Sequence, residues 1–373
     1  MDDAVFRFPG VAADRVLTIA EIGTGHEGDP GKARALVEAA ARAGADVVKF
    51  QHVYADEIIH PRTGLVPLPG GPTPLFDRFR AVETGPGFLA ACKTAAEEAG
   101  LAFLCTPFGV RSARELRALG VRAMKVASPE LNHAPLLAEL ASYGLPTILS
   151  SGVSTLGDIE RALAALTGCP AALLHCVTAY PAPPEDYNLA LLAPLSALLG
   201  VPVGVSDHSA DPVLVPALAV ARGARIVEKH ICLSRDDPGL DDPIALPPDE
   251  FARMVRAVRE AESEGPEATE RELSARYGPE LVRSTLGDGR KRLAPSEAAN
   301  YGRTNRSIHA RKAIEAGEAF TAENLAALRT EKVLRPGLDP FLLPFVLGRR
   351  AARAIPDGEG VEWPDLGEIT DKY

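Results

Sequence analysis

Short apolar runs rich in β-branched residues alternate along the chain with longer stretches whose apolar positions recur at helical spacing. The runs are RVLTIAE (15–21), DVVKFQ (46–51), LAFLCT (101–106), AMKVAS (123–128), PTILSS (146–151), AALLHC (171–176), VPVGVSDH (201–208) and ARIVEKH (224–230). Between them lie amphipathic patterns such as DPGKARALVEAAARAG, PGFLAACKTAAEEAG, SARELRALG, LGDIERALAAL and DPVLVPALAVARG, several opened by Asp or Ser and closed by Gly. Strands that alternate with helices pair in parallel, and eight such units predict an α/β fold, a closed (β/α)8 TIM barrel, over residues 1–265. Residues 266–304, charged and rich in Gly and Pro, read as a linker, and residues 305–373 as a small β-rich domain. Within that domain AIEAGEAFTAENL and AIPDGEGVEWPDL are two related half-motifs.

Barrel chemistry sits at the carboxyl ends of the strands, so those positions carry the functional reading. In order they are Glu21, Lys49 with Gln51, Thr106, Lys125 with Ser128 and Glu130, Ser150, Thr178 with Tyr180, Ser206 with His208, and Glu228 with His230. One or two polar strand ends would be ordinary; a polar group at every end is not. Lys49 and Lys125, ringed by Thr106, Ser128, Ser150 and Ser206, make a cradle for a small, highly charged anion, which favours a phosphorylated substrate. A single histidine past a strand is commonly a packing residue. The chain has only eight histidines, and two of them, His208 and His230, end adjacent predicted strands. Together they could give two imidazoles to one divalent ion and leave its other positions open, as a Lewis-acid site requires. Glu21, Glu130 and Asp241 remain as carboxylates for proton transfer or sugar hydroxyls.

Composition narrows the partners. A net charge of −10 argues against nucleic acid, and no apolar stretch suggests a membrane span. The start, MDDAVFRFPGVAADRV, has neither a basic nor an apolar leader region, and five widely spaced cysteines without a CxxC pair read as reduced thiols. Both point to a cytoplasmic protein.

The runs AEIGTGHEGD (20–29), GADVVKFQ (44–51), CTPFG (105–109), KVASPEL (125–131), ILSSG (148–152), LLHCVTAYPAPPEDYNL (173–189), VGVSDHS (203–209), EKH (228–230) and DDPGLDD (236–242) resemble, in family order, the sialic acid synthases and the related legionaminic and pseudaminic acid synthases. The C-terminal region is similar to the antifreeze-like SAF domain that accompanies them. The resemblance implies a metal-dependent condensation of phosphoenolpyruvate with an N-acetylated hexose, N-acetylmannosamine or a modified relative, to a nine-carbon 2-keto acid with release of phosphate. It implies Mn2+, with Mg2+ or Co2+ as alternatives, and a homodimer in which each C-terminal domain caps the partner's barrel.

Carried over to this chain, the resemblance gives the phosphate to Lys125, Ser128, Ser150, Ser206 and Thr106, and the carboxylate of phosphoenolpyruvate to Lys49 and Thr178. It gives the metal to His208 and His230, and the sugar to Glu21, Gln51, Tyr180, Asp241 and Arg335, with Glu130 as the base that activates or positions water. Gly25, Thr178, Asp242 and Ala245 depart from the family pattern around the acceptor pocket and leave the sugar open. The alternatives are a phosphoenolpyruvate aldol-type synthase acting on another aldehyde sugar, and a sugar-binding homologue without catalysis.

Overall fold

The computed structural model describes residues 6–12, 14–68, 71–331 and 333–369; the last four residues of the predicted C-terminal domain lie outside them. Eight parallel strands correspond one to one with the eight apolar runs: β1 (Leu17–Gly23), β2 (Val47–His52), β3 (Ala102–Pro107), β4 (Met124–Val126), β5 (Thr147–Ser150), β6 (Ala171–Cys176), β7 (Val203–Asp207) and β8 (Ile226–His230). Their order in the sheet is β3-β2-β1-β8-β7-β6-β5-β4, and β3 lies beside β4, so the sheet rounds into a nearly closed barrel. Eight helices cover it: α1 (Pro30–Arg42), α2 (Pro86–Glu98), α3 (Val110–Ala118), α4 (Ala134–Ala141), α5 (Leu156–Ala165), α6 (Leu192–Leu199), α7 (Leu214–Ala221) and α8 (Pro248–Glu264). Their starts are specified locally. Asp29 caps α1 by accepting from the amides of Gly31 and Lys32, and Thr155 with Asp158 forms a reciprocal capping box on α5.

Strand periodicity places the site. Alternate residues face the barrel interior, and the inward set is apolar at the amino end and polar at the carboxyl end. Leu17 and Ile19 precede Glu21 on β1, Val47 precedes Lys49 and Gln51 on β2, and Leu104 precedes Thr106 on β3. Ile148 precedes Ser150, and Ile226 precedes Glu228 and His230. The apolar members form one buried cluster inside the barrel, with Phe8 packed against it. Register aligns the polar members, pairing Glu21 with both Lys49 and His230, and Ser206 with both Cys176 and Glu228. Gly204 is required on β7, because a Cβ there would land on the Ile226 carbonyl. Gly204→Ala is expected to destabilise the barrel by about 1–3 kcal/mol, as overpacking does, readable as a lower midpoint in denaturant.

The stretch that reads as a linker is partly helical: α9 (Pro266–Tyr277) and α10 (Pro279–Leu286) follow α8. Thr269, Leu273, Val282 and Thr285 bury one face of this pair, which packs on α7, while the charged residues form its wet face. The C-terminal domain pairs β9 (Arg306–Ala310) with β10 (Leu325–Arg329), and β11 (Arg349–Ala351) with β12 (Leu366–Ile369), both antiparallel. The two half-motifs meet through a bridge between Ile314 and Ile355, and each turns on a glycine at positive φ, Gly317 and Gly358. The domain docks on its own barrel. The Asn132 side chain exchanges two hydrogen bonds with the Arg306 backbone, Asn305 donates to the Val153 carbonyl, and His60 lies 3.2 Å from Asp357. His60 is thus part of this docking contact, while Tyr54 donates to Glu115 on α3. No helix among the described residues is long and apolar enough to cross a membrane.

Candidate active site

At the carboxyl end of the barrel the two lysines stand in different electrostatic settings. Lys49 Nζ lies 2.8 Å from Glu21 and 3.7 Å from Glu228, and 3.4 Å from the Thr106 hydroxyl. Burial opposes its charge, but the two carboxylates outweigh burial and hold its pKa above the ordinary lysine value. Lys125 has no carboxylate in contact among the described residues. Its Nζ donates to Ser150 Oγ at 2.6 Å and to the Val126 carbonyl at 3.0 Å. Burial brings its pKa down to about 8, with Glu228 opposing and Lys49 adding to the shift. A buried ammonium with only neutral partners is incomplete, and a bound anion completes it.

Hydroxyls and carboxylates close the ring. Ser206 donates to Glu228 at 3.0 Å, Gln51 donates to Glu21 at 2.7 Å, and Ser128 Oγ accepts from the Gly152 amide at 3.0 Å. Gly152 has no room for a side chain, since a Cβ would fall on Thr178 Oγ1 and Ser128 Oγ. Thr178 Oγ1 and Glu228 Oε2 are buried and, among the described residues, hydrogen-bonded to nothing, which fits a mouth built around a polar ligand.

His208 and His230 face each other at 5.6 Å between ring centroids. His208 Nδ1 lies 2.9 Å from the Val177 carbonyl, which leaves Nε2 for a ligand, and Tyr180 stacks on its ring at 4.4 Å. His230 is kept below the ordinary histidine pKa, chiefly by burial, so its imidazole is neutral and able to ligate. Asp241 stands 3.8 Å from His230 Nδ1. The donor set fits a divalent ion with open positions: two imidazoles, one of them oriented by a backbone carbonyl, with carboxylates close by. Among the described residues no cluster of three or more His, Cys, Asp or Glu closes around one point.

The sequence matches the NeuB family over residues 36–268 and a SAF domain over residues 305–367. The chain belongs to the NeuB family. The spore coat polysaccharide biosynthesis protein SpsE of Bacillus subtilis is 34% identical over 94% of this chain and 93% of its own length. Its crystal structure superimposes with a TM-score of 0.80, covering 99% of both chains. The N,N'-diacetyllegionaminic acid synthase of Campylobacter jejuni is 33% identical over 92% of this chain and 98% of its own. NeuB-family membership carries the coarse activity: an enzyme that forms a carbon–carbon bond by condensing phosphoenolpyruvate with an amino sugar, dependent on a divalent metal.

Two residues expected in a NeuB-type mouth are engaged by other groups of this chain. Arg335 is held inside the C-terminal domain, donating to the Gly360 carbonyl and pairing with Asp365 and Glu362. Arg329, at the end of β10, pairs with Glu130 and lies over the Phe79 and Phe108 rings; burial raises the Tyr180 hydroxyl's pKa and the Arg329 charge opposes that rise. Glu130 is fully buried and paired with both Arg306 and Arg329. Burial would raise its pKa, but the two guanidinium groups hold it below the ordinary carboxylate value, which makes it a poor base and a strong anchor. Glu130's partners come from β9 and β10, far along the chain, whereas those of Arg335 lie within its own domain.

Three further residues enter the site. Glu228 bridges Lys49 and Ser206, and the EKH triplet that carries it was the available signal. Lys291 reaches the Ser151 carbonyl at 3.3 Å, and Glu297 binds the backbone at Val153 and Thr178. Both lie in the stretch read as a linker, where nothing in the local pattern marks them.

Proposed function

We propose that the protein condenses phosphoenolpyruvate with an N-acetylated hexose, N-acetylmannosamine or a modified relative, to a nine-carbon 2-keto acid of the sialic acid type. The observation that carries this reading is the shared mouth: two lysines, a ring of hydroxyls and two facing imidazoles at one level of one barrel. Lys125, Ser150, Ser128, Ser206 and Thr106 hold the phosphate, and Lys291 adds charge beside them. Lys49 and Thr178 hold the carboxylate. Glu21, Gln51, Tyr180 and Asp241 face the acceptor. C3 of phosphoenolpyruvate bonds to the aldehyde carbon of the open-chain sugar, water adds at C2, and phosphate departs by C–O cleavage.

His208 and His230 hold the divalent ion, Mn2+ in the first instance, which polarises the aldehyde when bound. The lysines and hydroxyls are already placed around the charge that grows on the departing phosphate, so little reorganisation is needed as it leaves. A homodimer with exchanged caps would use the same contacts, Arg306 to Glu130 and Asn132, across the subunit boundary.

The test is to incubate the metal-stripped protein with phosphoenolpyruvate, a panel of N-acetylated hexoses and added Mn2+, following phosphate release and product mass together. An adduct of acceptor plus pyruvate, formed only with metal, is the expected result. Phosphoenolpyruvate binding without an adduct across the panel would overturn the acceptor class. No binding of phosphoenolpyruvate at all would overturn the reading of the mouth.

A further inference from the structure

After α10 the chain runs back over the carboxyl ends of β5 and β6 before entering the C-terminal domain. There Glu297, 1% exposed, inserts its carboxylate between two loops. Oε2 accepts from the Val153 amide at 2.9 Å and from the Thr178 amide at 2.8 Å, and Oε1 accepts from its own segment at the Ala294 amide, 3.2 Å away. One oxygen thus ties the loop after β5 to the loop after β6.

Both loops carry groups of the mouth. Val153 sits at φ 44°, a left-handed conformation that costs a β-branched residue free energy and persists only when its surroundings impose it. The imposing contacts both come from beyond the barrel: Glu297 on the Val153 amide and Asn305 on its carbonyl, at 3.0 Å. Val153 follows Gly152, whose amide donates to Ser128 Oγ and whose Cα packs against Thr178 Oγ1. Thr178 itself is fixed through its amide by Glu297, and its hydroxyl is buried without a hydrogen-bond partner among the described residues.

We propose that Glu297 is a positioning residue for phosphoenolpyruvate: by stapling Val153 to Thr178 it aims the Thr178 hydroxyl and the Gly152–Ser128 pair into the anion site. This rests on the reading of the mouth given above. The staple is a matter of acceptor geometry, and that separates it from a role in proton transfer. A glutamine can place its carbonyl oxygen where Oε2 stands and keep both amides, losing only the Ala294 bond. An alanine loses all three.

The experiment compares wild type, Glu297→Ala and Glu297→Gln as full chains, measuring KM for phosphoenolpyruvate and for the acceptor, and hydrogen exchange of peptides spanning 151–155 and 177–179. Glu297→Ala is expected to raise KM for phosphoenolpyruvate about 10- to 100-fold. It should leave the acceptor KM within about threefold and lose exchange protection in both peptides. Glu297→Gln is expected to recover most of the affinity and the protection. Equal damage from Gln and Ala would overturn the staple in favour of a role for the charge. Unchanged phosphoenolpyruvate affinity in Glu297→Ala, with the wild type binding normally, would overturn the assignment of Glu297 alone. Failure of the wild type to bind phosphoenolpyruvate would instead overturn the underlying reading of the mouth.

Discussion

Replacing His208 with alanine is expected to lower kcat about a thousandfold or more while KM for phosphoenolpyruvate moves less than about threefold. The reason is the division of labour in the mouth. Among the described residues His208 hydrogen-bonds Val177 and Tyr187 and stacks on Tyr180, whereas the anion's charge is met by Lys125, Ser150, Lys49 and Thr106. Its Nε2 is free because Nδ1 is turned to the Val177 carbonyl, and its ring is fixed by stacking on Tyr180. Steady-state kinetics over a range of Mn2+ concentrations, with phosphoenolpyruvate binding measured separately, checks both halves. Normal turnover in His208→Ala would remove the metal assignment.

The same residue sets a pH dependence. Burial alone would lower its pKa, but the Cys176 sulfur, the Val177 carbonyl and Asp207 outweigh burial and raise it to about 9. Below that pH the free imidazole carries a proton that a metal ion must displace. Metal affinity is therefore expected to weaken as pH falls below about 9, approaching tenfold per unit, with proton release on binding. Calorimetric titration of Mn2+ in buffers of different ionisation enthalpy, at two pH values, measures both. Metal affinity that stays level between pH 7 and 9 would rule out this coupling.

Removing the Glu130 carboxylate is the second large effect. Arg306 is fully buried, and apart from Glu130 its guanidinium partners among the described residues are the backbone carbonyls of Glu57, Ile58, Ala327 and Phe108. Glu130→Ala leaves that charge buried without its counter-ion, and breaking such a pair costs about 3–5 kcal/mol. Arg329 loses its 2.6 Å partner in the same step. The expected outcome is a Tm several degrees lower and faster proteolysis or hydrogen exchange across residues 305–369, where the domain undocks first.

Glu130→Gln distinguishes the anchor from a base. An anchor variant loosens the domain and raises the acceptor KM, because Arg329, whose charge acts on the Tyr180 hydroxyl, loses the carboxylate that holds it. A base variant would lose kcat with docking intact. The anchor also resists acid. Its folded pKa lies below the ordinary 4.5, so its contribution to stability is full above about that pH and is lost only as pH falls through the depressed value.

The barrel was legible because its signal is local. Each strand writes its own alternation, so Leu17, Ile19 and Glu21 announce on which face and at which end the polar group falls, without reference to any other strand. Lys49, Lys125, Ser150, His208 and His230 could be named from that periodicity, and they converge as it requires. The C-terminal half-motifs were legible for a similar reason, since each turns on its own glycine. Helices α9 and α10 were not, because a charged stretch with two buried positions per helix looks like a linker until α7 supplies the surface those positions cover.

Local sequence alone specifies the barrel, the C-terminal domain and the polar side chains at the strand ends, because backbone period and side-chain type are properties of short segments. Which charges meet is settled only when distant segments pack. Glu130 finds Arg306 and Arg329 across 176 and 199 positions, Glu297 reaches Thr178 across 119, and Arg335 is held within its own domain by Gly360 and Asp365. A carboxylate is a base when it is free and an anchor when two guanidinium groups enclose it, and that enclosure exists only after the distant strands have docked.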